Sequence, residues 1–155
     1  MDNQIKPTEL KNGLRYIHIP NNRIKTFSLV IAIKVGSRDE DDKDIGSSHL
    51  LEHMLFKGTR KHPSFQKIQE LLDACGTYNA YTSKNSTCFY IKAPTSKFRE
   101  SASIFFDMMF HSLISKSAME MEKNVVIEEY QRLKHRRVLF ARKAVRGFHL
   151  FARRQ

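Results

Sequence analysis

Cysteine is scarce in this chain, with two in 155 residues. Cys75 and Cys88 form neither a CxxC pair nor a set with metal-ligand spacing. Neither a dithiol redox centre nor a thiolate metal site is marked by such spacing, and the two are expected to be small buried thiols of a reducing compartment. No apolar run approaches the ~20 residues that a membrane-spanning helix needs. The opening MDNQIKPTELKNG lacks the apolar core of a secretory signal, so the expected compartment is cytoplasmic. Repeats and low-complexity segments are missing too. Acid is absent from the end of the chain: residues 131–155 carry nine of the 27 Lys+Arg and no Asp or Glu. The net charge of +11 thus belongs to that tail, since residues 1–130 balance to +2. Any polyanion argument is confined to the last 25 residues.

What is present suits an ordinary folded domain, with 41% hydrophobic and 28% charged residues in a chain long enough to bury a core. LRYIHI (14–19) alternates after the turn pair Asn12-Gly13 and reads as a strand, as does TFSLVIAIKVG (26–36). The two are expected to pair as a hairpin through residues 20–25. SRDEDDKD (37–44) reads as a charged, solvated loop rather than a cation site. Residues 46–57 read as a helix capped by Ser47 or Ser48, with Leu51, Met54 and Leu55 on its apolar face and Gly58 as terminator. Pro63-Ser64 opens a second helix, with Phe65, Ile68, Leu71 and Leu72 at helical spacing, that closes at Gly76. Strands follow at 77–84 and 86–93, then helices at 97–111 and 116–134. The Met and Phe cluster of the first of these (Ile104, Phe105, Met108, Met109) is read as core. The order ββ-αα-ββ-αα predicts an α+β fold, an antiparallel β-sheet with helices packed on it.

Within the first helix, HLLEH sets His49 and His53 at i and i+4, so both imidazoles share one face. Two such nitrogens can grip one zinc at about 2.0–2.1 Å. Glu52 borders the same face and can reach a water on the metal without binding the metal itself. That division suits hydrolysis: zinc acidifies water and polarises the scissile carbonyl, while the carboxylate carries the proton to the leaving amine. Alone, HxxEH arises by chance often enough to be only suggestive, and a structural zinc site would want four ligands, usually with Cys. A third ligand must come from another element. MEMEKNVVIEEYQR offers Glu120, Glu122, Glu128 and Glu129; Glu122 and Glu129 share a face, and spacing alone does not choose among the four.

HLLEH is the inverzincin signature, and its surroundings resemble the pitrilysin/insulinase family of zinc metallopeptidases, a group that includes the mitochondrial processing peptidase β subunit. The stretches that carry the resemblance are LKNGLRYI, VGSRDE, GSSHLLEHMLFKGT, GTYNAYTSKNSTCFY and EKNVVIEEYQRL, in the family's order over about residues 8–134. The resemblance implies a zinc endopeptidase acting on peptides or unfolded segments, with one Zn2+ per chain held by His49, His53 and Glu129 and with Glu52 as catalytic base. The family's interval from the second His to the last acid of the EKNVVIEE-like segment is what selects Glu129. It gives Glu122 the task of holding a ligand His and leaves Glu120 and Glu128 solvated. NAYTS resembles the family's substrate-binding edge strand, to which an extended peptide adds by main-chain hydrogen bonds. Asn79 and Ala80 would then hold the substrate backbone, Tyr81 would line a side-chain pocket and Phe56 would flank the cleft. Against this stands the plainer reading of Tyr81 and Phe56 as core. Asn85 departs from the family, which often has an acid there.

After about Leu133 the resemblance stops. The expected division is a partial peptidase domain over 1–134 and a basic tail over 135–155. The tail is read first as unrelated sequence after a truncation or frameshift. It can also be drawn as a basic amphipathic helix (Val138, Ala141, Val145, Phe148) for a membrane or partner. Nucleic acid is the least supported partner, for want of an aromatic platform. The family pairs this half with a homologous second half over the substrate, so a homodimer or a second-half partner is expected. The rival to an active peptidase is a truncated remnant that binds zinc and turns over only with that partner. A basic-tailed binding module, with the site a coincidence, is the third class.

Overall fold

The computed structural model describes residues 6–133. The chain runs β1 (Thr8–Glu9), β2 (Arg15–Tyr16), β3 (Thr26–Ile33), α1 (Ser47–Leu55), α2 (Phe65–Cys75), β4 (Thr77–Thr82), β5 (Thr87–Pro94) and α3 (Phe98–His111). A single 3-10 turn, Thr95–Lys97, leads into α3. A last helix, α4, is described over 116–133. The basic tail lies outside the described residues. Among those described, no helix is long and apolar enough to cross a membrane.

The main sheet is antiparallel throughout, in the order β3-β5-β4. Its pleat puts Phe89, Ile91 and Ala93 of the central strand β5 on one face, with Ile31, Leu29 and Phe27 opposite them on β3 and with Ala80 and Tyr78 on β4. The helices pack on that face. Leu55 of α1, Ile68 and Leu72 of α2, and Ile104, Phe105 and Met108 of α3 complete one buried core. Ser64 caps α2 by accepting the Lys67 N–H at 3.2 Å, and Gly76 closes it, as expected from the sequence. The α+β class and the helix positions thus follow the periodicity. Cys75 and Cys88 are both buried and free.

The expected hairpin between 14–19 and 26–36 does not form. β2 is two residues long and pairs with β1, around a turn in which Asn12 Oδ1 accepts the Leu14 N–H and Gly13 takes φ 82°. β3 pairs with β5 instead. The reason is burial: beside β5, the Phe27, Leu29, Ile31 face joins Phe89 and Ile91 in the core. Leu14, Tyr16, Ile17 and Ile19 remain exposed among the described residues and give β3 nothing to bury against.

Past β3, the chain meets the tip of the β4–β5 hairpin. Ser37 N–H donates to the Ser83 carbonyl at 3.1 Å and Arg38 N–H to the Lys84 carbonyl at 2.9 Å. Gly36 makes this approach possible, since a Cβ there would lie 2.3 Å from the Ser83 carbonyl oxygen. Gly36→Ala is expected to lower stability by about 1–3 kcal/mol, the usual cost of forcing atoms into a filled site. Urea denaturation at equal m-value measures it.

Candidate metal centre

Helix α1 carries the HLLEH segment and is capped from a distance. Its N-cap is Gly46 at φ 92°, with no side-chain cap, so neither Ser47 nor Ser48 does what the sequence suggested. Glu40 does it instead: Oε2 accepts the Gly46 N–H and Oε1 the Ser48 N–H, each at 2.8 Å. The loop read as solvated therefore turns one acid inward, at the positive end of the helix. Burial works against charge on Glu40, but the hydrogen bonds from Gly46 and Ser48 outweigh it and hold the carboxyl below the usual range. A carboxyl whose folded pKa is depressed stabilises the fold above its unfolded pKa, about 4.3 for Glu. That contribution is lost as pH falls through the lower folded value. Zinc-free parent protein is thus expected to lose more stability between pH 5 and pH 3 than Glu40→Gln, as thermal melts across that window will register.

One turn apart on α1, the His49 and His53 rings meet edge to face, 4.7 Å between centroids. Their Nε2 atoms are 3.1 Å apart, and Glu129 Oε2 of α4 stands 3.6 Å from each. Among the described residues these three form the one group of His, Cys, Asp or Glu donors close enough to share an ion. A tetrahedral zinc with bonds of about 2.0–2.1 Å needs donors roughly 3.3–3.5 Å apart. The three separations bracket that value, so the residues fit such an ion. The orientation of His53 fits as well. Its Nδ1 lies 2.8 Å from Glu122 Oε1, a contact that suits a ring hydrogen on Nδ1, and its Nε2 faces His49 and Glu129.

Glu122 is 6% exposed, and its other oxygen receives Lys57 Nζ at 2.6 Å. Burial opposes its ionisation, but bonds from Lys57 and His53 prevail and hold its carboxyl low. The four acids of α4 are thereby sorted by what they touch. Glu122 and Glu129 face α1, whereas Glu120 pairs with Lys123 and Glu128 with Arg132 at the exposed surface.

Glu52 lies outside the group of three, 8% exposed, its Oε2 accepting the Thr82 hydroxyl at 2.5 Å. All the expected site residues line one open cleft of about 740 Å³ between α1, β4 and α4. β4 is an edge strand. Ala80 N–H is turned from β5 and bonded to the Asn79 side-chain oxygen at 2.8 Å, so a strand-pairing donor on that edge is held by a local acceptor. Tyr81 is 52% exposed, on the face away from the core, which removes the plainer reading of it as core. Phe56 keeps both descriptions: it lines the cleft and packs on Tyr78 and Phe89, 6.1 and 6.0 Å between centroids.

Three residues of this arrangement escaped the sequence reading. Thr82 could have been found by alternation from Ala80, and Lys57 as the i+4 neighbour of His53. Nothing local marks Glu40.

Residues 16–148 match the sequence profile of Insulinase (Peptidase family M16). The uncharacterized zinc protease YmxG of Bacillus subtilis is 38% identical over 126 residues, which cover 81% of this chain and 31% of the relative. The mitochondrial-processing peptidase subunit beta of Rattus norvegicus is 36% identical over 124 residues, covering 80% of this chain and 25% of that one. Among solved structures, a protease from Helicobacter pylori aligns with a TM-score of 0.76 at 28% identity, over 81% of this chain and 30% of its own. The periplasmic protease PqqL of Escherichia coli aligns with a TM-score of 0.75 at 28% identity, over 84% of this chain and 15% of its own. The chain spans less than a third of the length of each of these proteins.

Proposed function

This chain belongs to the insulinase family, peptidase family M16, and on that premise we propose that it is a zinc-dependent endopeptidase domain acting on peptides or unfolded protein segments. The observation that carries the proposal is the convergence of His49, His53 and Glu129 in a cleft that Glu52 also lines. A zinc ion held by those three side chains would supply Lewis acidity, acidifying water and polarising the scissile carbonyl.

The rest of the work falls to the chain itself. Glu52, its carboxylate aimed by Thr82, takes the proton of the attacking water and passes it to the leaving amine. Glu122 and Lys57 hold the His53 ring so that Nε2 faces the other donors. Substrate adds to the free edge of β4, pairing with the Ala80 main chain once the Asn79 carboxamide yields that N–H. Tyr81 and Phe56 offer apolar contact to substrate side chains on either side of that strand.

A second reading has its own support. The chain spans a third or less of its relatives, which supports a domain whose turnover requires a homologous second half or a second copy of the chain. Two results separate the readings. Zinc-dependent cleavage of a quenched peptide by the chain alone supports the active domain; one bound zinc without cleavage, with cleavage restored by a second-half protein, supports the remnant. In either case Glu129→Gln is expected to weaken zinc binding by roughly 10²-fold or more, as loss of a charged ligand requires. Unchanged affinity in a chelator competition would remove Glu129 from the site.

A further inference from the structure

The VGSRDE stretch at 35–40 takes no part in the chemistry above, yet its bonds are specific. Asp39 closes the loop on itself, its carboxylate accepting the Gly36 N–H at 2.9 Å and its own N–H donating to the Gly36 carbonyl at 2.9 Å. Ser37 and Arg38 fasten the loop to the β4–β5 hairpin. Glu40, leaving this anchored turn, reaches six and eight residues ahead to the N–H groups of Gly46 and Ser48. Helix α1 has no acid in its first turn and no cap of its own, so Glu40 supplies the negative charge and the acceptors together. Ser48, one of the two donors, immediately precedes His49.

We propose that Glu40 is a positioning residue for the metal centre: its carboxylate ties the first turn of α1 to the hairpin-bound loop and so fixes where His49 stands relative to Glu129. The same tie sets α1 against the hairpin whose strand β4 carries Thr82, the partner of Glu52. The inference rests on the reading of His49, His53 and Glu129 as a zinc centre. It assigns Glu40 no contact with metal or substrate. Asp42, exposed in the same loop, is given no such role.

The test uses the full 155-residue chain, with zinc affinity measured by competition against a chromophoric chelator and ligand geometry by the absorption bands of the cobalt(II) form. Glu40→Ala is expected to bind zinc about 10- to 100-fold more weakly, the range for residues that orient ligands, with shifted cobalt bands. Glu40→Gln is expected to recover part of that loss, because its one carbonyl oxygen still accepts one N–H. Asp42→Ala should stay within about threefold of the parent, well inside the smallest loss expected for an orienting residue. The proposal is overturned if Glu40→Ala and Glu40→Gln both bind like the parent with unchanged cobalt spectra, whatever their melting temperatures. Should Glu40→Ala not fold, Glu40→Gln decides by the same two readings. His49→Ala runs alongside: zinc affinity equal to the parent's in that variant overturns the metal reading and the role of Glu40 with it.

Discussion

Glu52→Gln is expected to cut peptide hydrolysis by roughly 10²- to 10⁴-fold, the range a positioned general base contributes, while zinc affinity stays within about threefold. The two effects separate because Glu52 is not one of the three clustered donors, although it lines the same cleft. Its carboxylate is nearly buried and held by the Thr82 hydroxyl, so it is oriented before any substrate arrives. Gln keeps the shape and can keep that hydrogen bond, but it does not accept a proton. The comparison requires zinc-saturated protein and, if the chain needs one, the second-half partner in excess. Cleavage rates within tenfold of the parent would take the catalytic base away from Glu52.

His53→Ala should have a large effect on the metal, a loss of affinity of roughly 10²- to 10³-fold. Structural zinc sites gain about 10–16 kcal/mol from four ligands, so one ligand is worth about 2.5–4 kcal/mol. Here the substitution also releases the contact that binds α1 to Glu122 of α4. Lys57 still pairs with Glu122, so no buried carboxylate is left without a counter-charge and the chain is expected to remain folded. Calorimetric zinc titration of the variant, beside its circular dichroism spectrum, distinguishes loss of the site from loss of the fold.

How much of this was legible in the sequence depends on the range over which each feature is decided. Helices α1 to α3 and strands β4 and β5 are written in local periodicity and in Ser64 and Gly76, and they stand close to where that pattern put them, although α1 ends at Leu55, with Phe56 as its C-cap, short of Gly58. Partner choice is not local. The turn residues after Ile19 invite a hairpin, but β3 goes where its Phe27, Leu29, Ile31 face can be buried, beside β5. The cap of α1 was misassigned for the same reason, because two serines beside the helix lose to a carboxylate eight residues away. At the site, HLLEH placed His49, Glu52 and His53 on one helix without help. Choosing Glu129 took more than spacing, since Glu122 shares its helix face; what separates them is that one meets both Nε2 atoms and the other meets Nδ1. Thr82 and Lys57 gained their roles only from the closure of α4 and β4 onto α1.

X-ray absorption at the zinc K-edge of the zinc-loaded chain tests the centre itself. The expected result is a shell of nitrogen and oxygen at about 2.0–2.1 Å with the outer scattering of two imidazoles and no sulfur, and loss of one imidazole's scattering in His49→Ala. Sulfur at about 2.3 Å, which would put Cys75 or Cys88 on the metal, or a shell with no imidazole scattering, would contradict it.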